Sequence, residues 1–111
     1  VKLKQAVHCL AALAQETRLA VFRLLVEAGR EGLCAGDIGG RLGVPAATLS
    51  FHLAQLANAG LVDARQQSRF IFYSANFEAM NGIVAFLTEN CCGGRSCPPS
   101  PKSKQKKSLA T

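Results

Sequence analysis

Apolar residues recur at helical spacing through the first part of the chain. Leu3, Val7, Leu10, Ala11 and Ala14 form one such series and predict a first helix. A second is predicted from Glu16 to Ala28, with Leu19, Val21, Phe22, Leu25 and Val26 on a broad buried face. Glu16 suits the positive end of that helix's dipole, and Gly29 stands where the helix should end. The segment from Cys34 to Leu42 reads as a short helix weakened by Gly36, Gly39 and Gly40, each costing about 1 kcal/mol relative to alanine. Gly43-Val44-Pro45 interrupts it, and Pro45 is well placed before a new helix from Ala46 to Ala59, stopped by Gly60.

After that the alternation shortens to every second residue. Leu61 to Arg65 and Arg69 to Ser74 are predicted strands around a polar tip, Gln66-Gln67-Ser68. Phe70 and Phe72 fall on one face, Ile71 and Tyr73 on the other. Asn76 is a good N-cap for a closing helix that carries Phe77, Met80, Ile83, Val84 and Leu87 on one stripe. Beyond Asn90, the Gly93-Gly94 pair, the prolines and the lysines argue against further regular structure. No internal repeat is visible. The predicted fold class is mainly α with a β-hairpin, in the order α-α-α-α-β-β-α. A short helix, a turn at Gly43 and a longer helix have the outline of a helix-turn-helix, and the hairpin after it supplies a wing.

With Leu49, Leu53 and Leu56 turned inward, the opposite side of the fourth helix carries Ala47, Thr48, Phe51, Gln55 and Asn58, with Ser50 on its flank. Such a helix enters the major groove by its N-terminal part. Ala46 and Ala47 permit close approach, while Thr48, Ser50 and Gln55 are able to hydrogen-bond to base edges or phosphate. Phe51 suits contact with thymine methyls, or else packs on the wing. His52 borders the buried stripe and is a candidate for the DNA-binding set or a hydrogen-bonded anchor of the helix. Arg65 and Arg69 flank the hairpin tip, where arginines clamp phosphates or enter the minor groove. Singly, they and Arg41 are equally ordinary solvated charges.

Composition changes this picture little. The net charge of +6 arises mostly at one end: residues 1–94 hold eight Lys and Arg against seven Asp and Glu, and Arg95, Lys102, Lys104, Lys106 and Lys107 supply the rest. The case for nucleic acid therefore rests on the folded part. No apolar run approaches the roughly 20 residues of a membrane span. No small-residue cleavage site follows Val1-Lys2-Leu3-Lys4 either, so a cytoplasmic protein with no membrane partner is expected. There is no Ser/His/Asp set in plausible order, no phosphate-binding glycine loop and no paired carboxylates, which argues against an enzyme. A thiol-rich metal buffer would explain the cysteines but leave the helix-turn-helix idle.

Five cysteines in a reducing compartment suggest free thiols or metal ligands over a disulfide framework. Cys9 and Cys34 read as small, buried apolar residues. Cys91, Cys92 and Cys97 lie together just past the last predicted helix, and Gly93-Gly94 lets the chain fold back. Three soft ligands without an obvious fourth suit trivalent arsenic or antimony better than tetrahedral zinc. The rival readings are another soft metal such as cadmium or lead, a structural zinc with a ligand from elsewhere, a thiol-redox pair involving Cys97, and no ligand at all.

The stretches from Leu13 to Leu25, Leu33 to Val44, Ser50 to Leu56 and Ala59 to Val62 together resemble the ArsR/SmtB family of metal-sensing repressors. The resemblance covers residues 3–90 and implies a homodimeric winged helix-turn-helix that binds a palindromic, double-stranded operator and releases it when a metal or metalloid binds. It implies residues 46–59 as recognition helix, 61–74 as wing, and a dimer interface of the first and last helices: Leu3, Val7, Leu10, Phe77, Met80, Ile83, Val84 and Leu87. Arsenic-sensing members often carry two thiols in the short helix. Here Cys34 remains, but Gly36 stands at the second position, which directs the metalloid reading to Cys91, Cys92 and Cys97. The implied organisation is a DNA-binding and dimerisation domain at 1–90, a metalloid-binding segment at 91–97 and a flexible basic tail at 98–111.

Overall fold

A computed structural model of the chain describes residues 1–95; Cys97 and the tail at 98–111 lie outside the described residues. Five helices and three strands follow in the order α1 (Leu3–Leu13), α2 (Glu16–Ala28), β1 (Leu33–Cys34), α3 (Ala35–Leu42), α4 (Ala46–Asn58), β2 (Val62–Gln67), β3 (Phe70–Ala75) and α5 (Phe77–Leu87), with a single 3₁₀ turn at Cys91–Gly94. This is a winged helix-turn-helix. The three strands form one antiparallel sheet in the order β1-β3-β2.

Local signals explain the boundaries of the longer helices. The Gln15 side chain caps α2 by accepting from the Arg18 N–H, and the Asn76 side chain caps α5 by accepting from the Ala79 N–H. Gly43, at φ 68°, takes the left-handed conformation that turns the chain between α3 and α4. Pro45 is the N-cap residue of α4, which ends at Asn58, one residue short of the predicted end, with Ala59 as its C-cap. The three glycines of α3 are offset by tertiary packing: Ile38 is fully buried, and Gly39 leaves room for the Val44 carbonyl.

The core gathers Val21, Phe22 and Leu25 of α2, Ile38 of α3, Leu49, Leu53 and Leu56 of α4, and Leu61, Val62, Ala75 and Ile83. One predicted face needs correction. Leu19 is exposed, because α2 buries only the narrower stripe of Val21, Phe22 and Leu25. On α1 the buried residues are Ala6, Cys9 and Ala12, so Leu3, Val7 and Leu10 point outward. Small side chains bring α1 close to its neighbours, and the larger ones are left on the surface.

Three further departures concern the sheet and the chain after α5. The two-residue strand β1 pairs with β3, Leu33 with Tyr73 and Cys34 with Phe72, and is too short to leave a periodic signal. The hairpin turn is Ser68-Arg69, not Gln66-Gln67-Ser68, since pairing continues out to Gln67 with Phe70. Ser68 takes the positive φ of 62° that a two-residue hairpin loop demands. Finally, regular structure does not stop at Asn90: the 3₁₀ turn follows, with Asn90, Cys92 and Gly93 all left-handed.

Candidate nucleic-acid interface

Burial separates the two sides of α4 as its sequence predicts. Leu49, His52, Leu53 and Leu56 are buried, while Ala46, Ala47, Thr48, Ser50 and Phe51 are exposed and Gln55 is half-buried. The small residues and hydroxyls at the N-terminal end form a low, polar surface on which a duplex could seat. No side chain caps this end of α4, so its first N–H groups face outward at the positive pole of the helix, an arrangement suited to phosphate. Phe51 is 57 % exposed, with its ring edge-on to His52 at 5.6 Å between centroids; it does not fold away onto the wing.

His52 is the one predicted contact residue that the fold withdraws. It is 8 % exposed, and Arg18 Nη1 lies 3.3 Å from its Nδ1. A guanidinium has no acceptor, so it donates and the imidazole accepts. His52 anchors α4 from within and cannot reach a base edge. Arg18, absent from the predicted site residues, also donates from Nε to the Ala12 carbonyl at 2.6 Å. Its only sequence signal is a cation set within the apolar periodicity of α2; its partner is 34 residues away.

The two wing arginines are not equivalent. Arg69 sits in the turn itself and is exposed. Arg65 lies further back, opposite Phe72. Its guanidinium donates to the Glu31 carbonyl at 3.1 Å and to Gln67 Oε1 at 3.4 Å. Arg41 is exposed in the last turn of α3, where its charge complements the helix dipole.

Past the end of α5, Cys91 and Cys92 are exposed, with their Sγ atoms 3.6 Å apart. The left-handed conformation of Cys92 and the bond from the Cys91 N–H to the Thr88 carbonyl bring adjacent side chains together. One ion bound at about 2.3 Å from each sulfur with a near-tetrahedral angle needs the sulfurs about 3.8 Å apart, close to what is seen. Among the described residues no three His, Cys, Asp or Glu converge on a metal site; the third predicted thiol, Cys97, is outside them. Cys9 is buried and donates to the Ala59 carbonyl at 3.3 Å, and burial raises its thiol pKa. Cys34 is half-buried, 3.5 Å from the Asp37 carboxylate.

The surface on which a dimer would form is also visible in part. Leu3, Val7 and Leu10 of α1 and Val84 and Leu87 of α5 are exposed. Ile83, predicted for the same interface, is 6 % exposed and belongs to the protomer's own core, while Phe77 and Met80 pack partly against that core. Among the described residues, no helix is long and apolar enough to cross a membrane.

Comparison with known proteins agrees with this architecture. A helix-turn-helix domain family matches residues 13–65. The chain is 34 % identical over 89 residues to the HTH-type transcriptional regulator YgaV of Escherichia coli, covering 80 % of this chain and 88 % of the relative. It is 31 % identical over 81 residues to the arsenical resistance operon repressor of Bacillus subtilis, covering 73 % of each. Among solved structures, an ArsR-like transcriptional regulator from Rhodococcus sp. RHA1 superposes with a TM-score of 0.70 at 25 % identity, over 96 % of this chain and 88 % of that one.

Proposed function

The chain belongs to the ArsR family of winged helix-turn-helix transcriptional regulators, which are not enzymes, and we propose that it is a repressor released from its operator by trivalent arsenic or antimony. The observation that carries this reading is the pair of adjacent thiols, 3.6 Å apart, set just beyond a helix whose exposed face bears Val84 and Leu87. The likeness to the Bacillus arsenical-resistance repressor supports the same choice of ligand. Cys91 and Cys92 supply two thiolates and Cys97 the third. Arsenite enters as As(OH)3, and each thiol proton leaves with a hydroxide as water, so three As–S bonds replace three As–O bonds with no net proton released.

In this reading two copies meet through Leu3, Val7 and Leu10 of α1 and Val84 and Leu87 of α5. The dimer, in the cytoplasm, holds its two α4 helices at successive major grooves, about 34 Å apart. Ala47, Thr48, Ser50, Phe51 and Gln55 face the bases, and Arg69 with Arg65 flanks them from the wing. Drawing Cys97 to the Cys91–Cys92 turn remodels the end of α5, hence the dimer packing, and the half-sites no longer fit. A coupling of about 1–3 kcal/mol lowers operator affinity roughly 5- to 150-fold.

A mobility-shift titration tests this. Arsenite should release the wild-type complex and leave that of a Cys91/Cys92/Cys97→Ser variant intact. A wild-type complex indifferent to arsenite contradicts the switch, and equal release of the variant puts the site elsewhere. Sulfur-coordination spectroscopy on the arsenite-loaded protein should count three sulfur neighbours; four would favour a zinc-like site.

A further inference from the structure

We propose that Arg18 is the positioning residue that sets the angle of the reading helix α4 against the dimer helix α1, and thereby the half-site spacing the protein accepts. The proposal rests on the dimeric, DNA-binding reading above and concerns a residue that reading does not use.

One guanidinium joins three helices. Its Nε holds the Ala12 carbonyl at 2.6 Å, in the last turn of α1, where helix carbonyls lack intrahelical partners. Its Nη1 holds His52 Nδ1 at 3.3 Å, in the middle of α4. Its own main-chain N–H is fixed by Gln15 at the start of α2. Because the guanidinium is planar and rigid, these two acceptors are tied at a nearly constant separation. His52 is the only buried polar or charged residue among the described residues, and no buried side-chain nitrogen or oxygen there is unsatisfied.

Apart from this link, α1 and α4 are tied at the far end by the Cys9 thiol on the Ala59 carbonyl, at 3.3 Å. Beside the Arg18 link lies an open cleft of about 360 Å³, lined by Val7, His8, Ala11, Ala12, Arg18 and Gln55. Cys9 and Ala12 pack α1 against the leucines of α4, and to that non-directional apolar contact the Arg18 bonds add a directional one. The outer face of α1 carries Leu3, Val7 and Leu10, and the outer face of α4 carries Thr48, Ser50 and Phe51. Arg18 thus stands between the surface that would meet the partner and the surface that would meet DNA.

The lever is long enough to matter. Thirteen residues make α4 about 20 Å long. Pivoting at its middle, a tilt of about 10° moves its N-terminal end by about 1.7 Å, and twofold symmetry doubles this to about one base-pair rise, 3.4 Å.

The test uses duplexes whose half-site separation varies by single base pairs, with a random duplex as reference. Wild-type protein should prefer one spacing by about 10-fold or more. R18M, and R18K, which keeps the charge but loses the planar fork, should each lose at least about 5-fold of that preference while keeping random-duplex affinity and dimer mass. H52F should lose it similarly, and H52N, which restores an acceptor near the Nδ1 position, should recover most of it. Spacing preference that survives R18K overturns the proposal, as does an equal loss on cognate and random DNA, or a failure of H52N to recover more than H52F. Wild-type protein indifferent to spacing overturns the dimeric DNA reading first, and this proposal with it.

Discussion

The Arg65 guanidinium stands 5.6 Å from the centre of the Phe72 ring, its register partner across the wing, and donates at the same time to the Glu31 carbonyl. A cation held this way stiffens the base of the hairpin. Arg69, one turn residue past Ser68, is the arginine free to reach a phosphate. Arg69→Ala should therefore weaken binding uniformly across sequences and reduce the salt slope of log K by about 1. Arg65→Ala should change that slope less and cost about 0.5–1 kcal/mol of stability through the lost ring contact. Affinity measured across a salt series decides between them; a larger slope change for Arg65 would reverse the assignment.

Neighbouring residues on α5 should behave in opposite ways. Val84 is 55 % exposed and Ile83 only 6 %. Val84→Asp should leave the protomer folded and shift the dimer toward monomer in sedimentation at micromolar concentration. Ile83→Ala should lower unfolding stability by about 2–5 kcal/mol through the cavity it leaves.

Gly32 has a positive φ of 73° and lies directly against the Tyr73 carbonyl, where an added Cβ would collide with the main chain of β3. Gly32→Ala should cost roughly 1–3 kcal/mol, read as a lower urea midpoint at unchanged m. No loss would mean that β1 does not hold its place on β3.

Burial raises the Cys9 pKa, so the folded protein keeps that proton to higher pH than the unfolded chain does. The stabilisation is complete below the unfolded thiol's value, about pH 8.5, and falls away as pH rises through the higher folded value. Accordingly, native protein at neutral pH should be alkylated at the exposed Cys91 and Cys92 long before Cys9, which should react only on unfolding. Mass spectrometry of peptides after a timed alkylation pulse reads the order.

Much of the molecule was legible because its signals are local. Gly29 ends α2, Asn76 caps α5, and Gly43 turns between α3 and α4, each through the conformation or hydrogen bond of a single residue. The inward stripe of Leu49, Leu53 and Leu56 follows from helical period alone, whereas the approach of the Cys91 and Cys92 sulfurs depends on the left-handed backbone at Cys92. Less legible was the wing, where strand alternation located the hairpin but not its turn: Gln66 and Gln67 look like loop residues and are paired strand. Cross-strand hydrogen bonds, not side-chain polarity, settle a register.

By itself the order of residues determined which segments coil, where they stop, and that one end of α4 offers small and polar groups to a partner. The tertiary structure alone decided that α1 packs through Ala6, Cys9 and Ala12 and leaves its leucines outside, that β1 exists, and that His52 is sealed inward by Arg18. The reason is separation along the chain. Periodicity states that a helix has an apolar side, but which atoms meet it depends on groups tens of residues away, brought near only when the whole core closes.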